Sequence, residues 1–300
     1  MSEFERKIRE YVKSAHHPQV NSVLFWENGE TIAECYFNRF NEKTRHNIKS
    51  VVKSILAIAV GSAQDEGLLH VDDSIARYIP AFDERRDVRH RSIKIRHLLT
   101  MSSGIFWQGG VHYHCPMMDA MRRSGSWIDY IADVHVKSTP GSIHNYKEWD
   151  VILLAAVLSG VTGDCYDYID SKIYKPLGIT SDRWIQSPDG VYYSPALEPQ
   201  KERVSALTAR DMLKIGMLFL QDGMWEGKRI VSKEYIEEAI APSPQDCNYG
   251  FLWWRGDNWY GCRGYGGQSI TVFPEKKRIV VTQASATSRP LSYEDIIFIN

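Results

Sequence analysis

Ser50 and Lys53, one helical turn apart, are the first residues in this sequence whose types and spacing could do chemistry. They lie in NIKSVVKSIL, residues 47–56, where most other side chains are apolar. Residues three apart on a helix share a face, so the lysine amine can reach the serine hydroxyl. A buried lysine is costly unless it is paired or neutral, and a neutral amine can activate a hydroxyl as a base. The pattern predicts a nucleophile and its base; the alternative is a serine near a helix start and a lysine that reaches solvent.

The helix that must position this pair is predicted over residues 48–66. Its apolar residues surround the helix instead of forming one stripe, which is typical of a central helix. At the first turn of such a helix, backbone N–H groups and the helix dipole favour negative charge on the Ser50 oxygen. The helix is expected to end at Gly67.

Strand-forming segments lie towards both ends of the sequence, and helical patterns fill the region between them. Residues 20–38 are predicted to form a hairpin, because Asn28-Gly29 is a strong type I′ turn signal. Short strands are predicted between residues 248 and 284, joined by Gly, Asn or Pro turns. An antiparallel sheet built from both ends and flanked by helices gives an α+β fold.

The same layout predicts how the chain is divided. We assign residues 1–82 and 188–300 to an α/β sheet domain and residues 83–187 to an inserted all-helical domain. The last segment, residues 291–300, is predicted to begin a helix of little more than two turns. So short a helix would leave part of the sheet face uncovered, and the contact of a homodimer would hide it.

Composition argues against several function classes. The net charge is −1, which gives no reason to expect nucleic acid or an anionic membrane as a partner. The five cysteines are widely spaced and form no CxxC, which argues against a disulfide framework and against a cysteine-based zinc site. No apolar run is long enough for a transmembrane helix, and the N-terminus has no apolar signal segment, so a cytoplasmic location is expected.

Most of the chain resembles the serine β-lactamase and penicillin-binding-protein superfamily. The resemblance is to its class C β-lactamase, esterase and 6-aminohexanoate-dimer hydrolase branch, and it implies a β-lactamase-like fold. The blocks that carry it, in order, are NGETIAECYFN, SVVKSILAIAVGSAQDEGLLHVDDSIARYIP, IKIRHLLTMSSGI, PGSIHNYKEWDVILLAAVLSGVTG, YKPLGI, SALTARDMLKIGMLFLQDGMWEGKRIVS and YGFLWW…GYGGQSITVFP.

The resemblance implies that Ser50, Lys53 and Tyr146 are catalytic. Tyr146 matches the tyrosine of the family's Tyr-x-Asn motif, and Lys53 nearby would push this phenol towards phenolate, making it a general base and then an acid. Glu148 stands where the family has asparagine. It is expected to pair with Lys53 or with a cationic group of the substrate, or else to occupy a helix N-terminus as a structural residue.

The family's third motif, Lys-Thr-Gly or a His-x-Gly variant, maps to Tyr265-Gly266-Gly267. The resemblance implies that the N–H of Gln268, together with that of Ser50, forms the oxyanion hole. Tyr265 replaces the cation that helps to hold the carboxylate of a β-lactam, which puts penicillin recognition in doubt. The alternative interpretation of GYGGQ is a tight hairpin.

Three further features have both a functional and a structural interpretation. Trp107 either lines the acyl pocket or packs in the core, and the Trp253-Trp254 pair is predicted as sheet core. His112 and His114 would face one way in a strand, as a metal pair does, with Cys115 beside them. The Ser-Lys-Tyr mechanism needs no metal or other cofactor, so the loop is expected to line the cleft.

The expected function is a serine hydrolase that cleaves a small-molecule amide or ester through an acyl-enzyme. Three alternatives stay open. They are a true β-lactamase or D-Ala-D-Ala peptidase, a non-catalytic penicillin-binding-like module, and a metal-dependent hydrolase that uses His112 and His114.

Overall fold

The structure is a computed structural model that describes residues 1–14, 19–85, 87–109, 115–193 and 205–285. A six-stranded antiparallel sheet with the order β2-β1-β12-β11-β10-β9 forms its framework, so strands from both ends of the sequence share one sheet. This confirms the predicted α+β fold. The strands are β1 (Val20–Glu27), β2 (Glu30–Tyr36), β3 (His46–Asn47), β4 (Ile185–Gln186), β5 (Tyr192–Tyr193), β6 (Ala206–Leu207), β7 (Met224–Trp225), β8 (Lys228–Arg229), β9 (Trp254–Arg255), β10 (Tyr260–Gly264), β11 (Gln268–Phe273) and β12 (Arg278–Ala284).

Helices cover both faces of this sheet. Single turns of 3₁₀ and π helix occur at Ile75–Arg77 and Asp170–Tyr174. The α-helices are α1 (Glu3–Ser14), α2 (Val51–Asp65), α3 (Pro80–Asp83), α4 (Val88–Arg91), α5 (Ile95–Leu99), α6 (Pro116–Arg123), α7 (Trp127–Asp133), α8 (Glu148–Thr162), α9 (Cys165–Ile169), α10 (Ala209–Leu220) and α11 (Lys233–Ile240).

Alternation along β1 explains why the sheet is covered on both faces. Val23 and Phe25 pack with α1 in a small cluster on one side. Leu24 and Trp26 belong to the large core on the other side, which also contains α2, α8 and α10. Since successive side chains of a strand point to opposite faces, one apolar strand supplies both layers. The predicted turn between β1 and β2 is confirmed by positive φ angles at Asn28 and Gly29.

Helix α2 is central, as its all-round apolar pattern predicts. Every residue from Val51 to Ala63 is buried, and the helix packs against α8 and α11 and against β10 and β11. Its last turn closes at Gly67, which has a φ of +72°. The residues just before α2 are therefore held between the sheet and the helices, and they include Ser50.

The strand expected across residues 248–256 is mostly wrong. Only Trp254–Arg255 forms a strand, because Leu252 has a φ of +59° and Gly250 packs against the carbonyl of Ala239, where no Cβ would fit. These features bend the chain into turns that a regular strand does not allow.

Three expectations are not decided by the described residues. The division into 1–82 with 188–300 and 83–187 stays a prediction. The helix expected over 291–300, and the dimer contact argued from it, lie outside the described residues. Within the described part of the chain no single helix is long and apolar enough to cross a membrane, although Glu148–Thr162 and Cys165–Tyr174, bent by 80°, together have the length and composition of such a span.

Candidate active site

Ser50 lies immediately before the first residue of α2, and Lys53 lies one turn into the helix. The Ser50 side chain makes no capping hydrogen bond to the helix; its Oγ instead accepts a hydrogen bond from Lys53 Nζ at 3.0 Å. The Lys53 side chain is 1% exposed. The structure thus brings the two residues together as the nucleophile–base interpretation requires, and the solvent-directed lysine is wrong.

Glu148 is the first residue of α8 and also contacts Lys53. Its Oε1 lies 2.5 Å from Lys53 Nζ, and the Glu148 side chain is 8% exposed. Two of the predicted placements, pairing with Lys53 and a position at a helix N-terminus, are therefore found in the same residue. A carboxylate this close to a buried amine favours the charged form of the amine.

Tyr146 lies beside this pair but is not the phenolate expected from the sequence. Lys53 Nζ is 5.4 Å from the centre of its ring. Removal from water raises the pKa of Tyr146, and Glu148 raises it further. Lys53 and hydrogen bonding with Ser50 lower the pKa by less, so the net shift is upward. The expectation of a phenolate was wrong because it weighed Lys53 without the burial of the phenol, which raises the pKa of Tyr146 by more than Lys53 lowers it.

Two aromatic side chains at or near the edge strand β9 pack against Tyr146. Trp254 stacks on its ring at 6.0 Å between centroids, and the buried Tyr249 meets it edge-on at 6.3 Å. The prediction that Trp253 and Trp254 both belong to the sheet core is confirmed for Trp253 only. Trp253 is fully buried, whereas Trp254 is only partly buried and faces the site.

A second buried ion pair lies directly behind Tyr146. Lys147 Nζ is 3.5 Å from Asp150 Oδ2, and the two side chains are 1% and 0% exposed. Ser103 Oγ donates to Asp150 Oδ1 at 2.6 Å, and Lys147 Nζ donates to the Asn145 carbonyl at 3.3 Å. Burial raises the pKa of Asp150, while Lys147 and Ser103 lower it. This network fixes the backbone on both sides of Tyr146.

Four non-glycine residues with left-handed backbone angles surround the site. Lys49 has a φ of +52° directly before Ser50. The other three each offer a carbonyl to the site framework: Ser205 to Ile48 N, Met101 to Asn145 N, and Leu252 to Ser54 Oγ. Such angles are unfavourable for residues with a Cβ and persist where surrounding structure holds them, which is common at functional sites.

The Tyr265-Gly266-Gly267 segment forms the turn between β10 and β11. Tyr265 is 57% exposed, and both glycines have positive φ angles that favour glycine. The tight-hairpin interpretation is therefore correct for the local chain. The close approach to the segment before Ser50 is made by Gly264, where a Cβ would lie 2.3 Å from the Ile48 carbonyl oxygen and 3.0 Å from Lys49 Cβ. Whether the Gln268 N–H binds an oxyanion stays a prediction.

A Gly264→Ala variant is expected to slow the reaction of Ser50 with an organophosphonate probe about 10- to 100-fold, since a small displacement of a reacting group costs that much. The new methyl group must push the Ile48 and Lys49 backbone, and Ser50 follows it in the chain. The measurement is the second-order labelling rate. Gly125→Ala is the matched control, because its Cβ would meet nothing within 4 Å. Labelling of Gly264→Ala at the wild-type rate would show that this contact does not position Ser50.

Of the remaining predicted residues, one lies in the core and the others lie outside the residues that the structure describes. Trp107 is 8% exposed and meets Trp149 edge-on at 5.0 Å, which favours the core interpretation. His112 and His114 lie outside the described residues, so the predicted histidine pair is not tested. Among the residues that the structure does describe, no group of three metal-ligating side chains occurs.

Sequence reasoning missed four of the residues that build this site. Gly264 was quoted only as part of GYGGQ, and a glycine inside a strand pattern was the available signal for close approach. Tyr249 and Trp254 had no signal beyond aromatic crowding. The buried Asp150 had none, because its partner Lys147 looks like an ordinary surface lysine in the sequence.

Comparison with known proteins identifies the family. The family model described as Beta-lactamase matches residues 4–296. An Escherichia coli K12 relative named "Putative D-alanyl-D-alanine carboxypeptidase" is 32% identical over 130 residues, which are 41% of this chain and 29% of the relative. The 6-aminohexanoate-dimer hydrolase of Paenarthrobacter ureafaciens is 22% identical, over 88% of this chain and 72% of its own.

Among solved structures, the octameric penicillin-binding protein homologue from Pyrococcus abyssi superposes with a TM-score of 0.75 at 22% identity. The match covers 99% of this chain and 76% of that one. Identity this low shows the shared fold alone. The matched part of the Escherichia coli relative is less than a third of its length. The family resemblance found in the sequence is confirmed.

Proposed function

Because the chain belongs to the beta-lactamase family, we propose that it is a serine hydrolase that cleaves a small-molecule amide or ester. The observation that carries the proposal is the 3.0 Å contact from the buried Lys53 Nζ to Ser50 Oγ. A serine hydroxyl held this way, at the start of a buried helix, is positioned as a nucleophile rather than as a helix cap.

In the proposed reaction Ser50 Oγ attacks the substrate carbonyl, and the Lys53 and Tyr146 side chains manage its proton. The N–H groups of Ser50 and Gln268 bind the oxyanion of the tetrahedral intermediate. Since the pKa of Tyr146 is raised, the neutral phenol serves as a proton donor towards the leaving group. Water then releases the acyl group from Ser50.

Substrate preference is proposed to depend on the turn before β11. Tyr265 is exposed there, where the family places a cation for the carboxylate of a β-lactam. An uncharged residue at this position favours esters or amides without that carboxylate. Gly266 and Gly267 leave room beside this turn for the substrate, and Trp107 packs in the core against Trp149. Rapid turnover of a chromogenic cephalosporin would instead favour a true β-lactamase.

The test of the proposal is covalent labelling of Ser50 by an organophosphonate probe, followed by mass spectrometry of the labelled peptide. We expect one label on Ser50 in the wild type and none in Ser50→Ala. The matched control is Ser142→Ala, which removes an exposed hydroxyl and should label normally. A folded wild type that takes no label would support the non-catalytic binding module instead.

A further inference from the structure

The Ser50 proton needs an acceptor, and the neighbouring side chains differ in their capacity to accept it. Lys53 Nζ lies 3.0 Å from Ser50 Oγ and 2.5 Å from Glu148 Oε1, and a carboxylate this close favours the ammonium form of the amine, which has no lone pair to accept a proton. Burial raises the pKa of Tyr146, so its phenol keeps its proton at neutral pH. The carboxylate of Glu148 is the group in this chain of contacts that can take up a proton.

We propose that Glu148 is the terminal proton acceptor for Ser50, reached through Lys53. The inference rests on the proposed function, because it assumes that Ser50 is a nucleophile. It assigns Glu148 to proton transfer rather than to binding a cationic group of the substrate. Glu148 touches Lys53 and not the reacting carbonyl, so it acts through the lysine.

The proton transfers balance. As Ser50 Oγ forms a bond to the carbonyl carbon, its O–H bond breaks and the proton passes to Lys53 Nζ. In the same step Lys53 gives one of its own protons to Glu148 Oε1, so that its nitrogen has the lone pair that accepts the serine proton, and Glu148 becomes a carboxylic acid. When the intermediate collapses, the proton returns through Lys53, and Tyr146 passes it to the leaving group. The acyl group stays on Ser50, and the leaving group departs with the proton.

This route leaves Lys53 positively charged both before and after Ser50 attacks the carbonyl. Before attack, the ammonium of Lys53 faces the carboxylate of Glu148; afterwards, it faces the oxyanion, while Glu148 is neutral. The negative charge moves from one side of the buried cation to the other, and no net charge is created. In a site with both side chains at least 92% buried, creating an additional isolated charge would be costly.

Other ionisable groups face the pair from three elements, and their charges differ. Tyr146 and Tyr249 are neutral phenols with raised pKa values. Lys147 and Asp150 form their own ion pair and nearly cancel at a distance. The groups around the Lys53–Glu148 pair are Ser50 just before α2, Tyr146, Lys147 and Asp150 around the start of α8, and Tyr249 before β9.

The test is the pH profile of Ser50 labelling by the organophosphonate probe. If Glu148 is the acceptor, the wild-type labelling rate has its acid limb at low pH, because Lys53 releases its proton directly to the carboxylate beside it. In Glu148→Gln, Lys53 must first lose its own proton, so the acid limb moves to higher pH. With a shift of about two pH units, labelling at pH 5 falls about 100-fold, while the rate above pH 9 stays close to that of the wild type.

Three further variants make the outcome specific. Glu148→Asn places the family's own residue there and should behave like Glu148→Gln. Glu148→Asp keeps a carboxylate and should restore the acidic limb. Glu30→Gln changes an exposed glutamate and should leave the profile unchanged. Labelling at high pH shows in the same experiment that each variant is folded.

The direction in which the acid limb moves in Glu148→Gln decides whether Glu148 accepts the proton. An acid limb that moves to lower pH in Glu148→Gln would overturn the inference, since Glu148 would then restrain Lys53 rather than accept its proton. An unchanged limb would overturn it as well. In both cases Ser50 still reacts, so the proposed function survives. Absence of wild-type labelling at every pH would instead refute the proposed function itself.

Discussion

A Lys53→Met variant is expected to lose about 3–5 kcal/mol of unfolding free energy as well as its reaction with the probe. The substitution leaves Glu148 as a buried carboxylate, 8% exposed, without the cation 2.5 Å away. An unpaired charge in such surroundings costs far more than the lost contact itself. The measurement is urea unfolding at pH 7, followed by tryptophan fluorescence.

The double variant Lys53→Met/Glu148→Leu is the control for this prediction. Replacing both members of a buried ion pair by apolar residues of similar volume is often neutral for stability. We therefore expect the double variant to recover most of the lost unfolding free energy while it stays unreactive. If Lys53→Met alone unfolds within 1 kcal/mol of the wild type, water reaches Glu148, and the estimate of about 3–5 kcal/mol for a buried pair is wrong.

Lys147→Met is expected to destabilise the protein by a similar amount at pH 8, about 3–5 kcal/mol, and by less at pH 5. Lys147 is the largest of the influences that lower the pKa of Asp150, which burial already raises above its ordinary value of 3.8. Without the lysine this pKa rises further. The folded protein then binds more protons than the unfolded chain between pH 3.8 and the raised pKa, so stability falls as pH rises through that window.

The double variant Lys147→Met/Asp150→Asn separates charge from packing. Asparagine can still accept the hydrogen bond from Ser103, which lies 2.6 Å from the present carboxylate oxygen. With no ionisable group left at position 150, the stability difference from the wild type should no longer depend on pH between 5 and 8. A pH-independent loss in Lys147→Met alone would show that the lysine contributes through packing rather than through its charge.

Local patterns in the sequence predicted the parts of the fold that depend on neighbouring residues. The hairpin at Asn28-Gly29 follows from turn geometry, and the all-round apolar pattern of α2 predicts its burial. The Ser50–Lys53 contact follows from helical spacing, because both residues lie on one helix. These predictions required no knowledge of which distant segments meet.

The parts that failed depend on segments brought together from far along the chain. The pKa of Tyr146 depends first on burial, to which Tyr249 and Trp254 about a hundred residues later contribute, and then on the charges of Lys53 and Glu148. The strand expected over 248–256 is replaced by turns, because tertiary contacts at Gly250 and Leu252 outweigh a local preference for extended chain. No short segment of the sequence therefore predicts how burial and nearby charges combine to set the pKa of the Tyr146 phenol.

The pairing of β1 with β12 also has a consequence for how the chain folds. Val20 is paired with Ala284, so the sheet closes between residues more than two hundred positions apart. Such non-local pairing slows folding, and β1 leaves the ribosome with one edge unpaired until β12 follows. Ser50 is synthesised before Gly264, which packs against the residues that precede it, and before Trp254, which stacks on Tyr146. A nascent chain therefore carries Ser50, the proposed nucleophile, before the later strands that complete its surroundings are present.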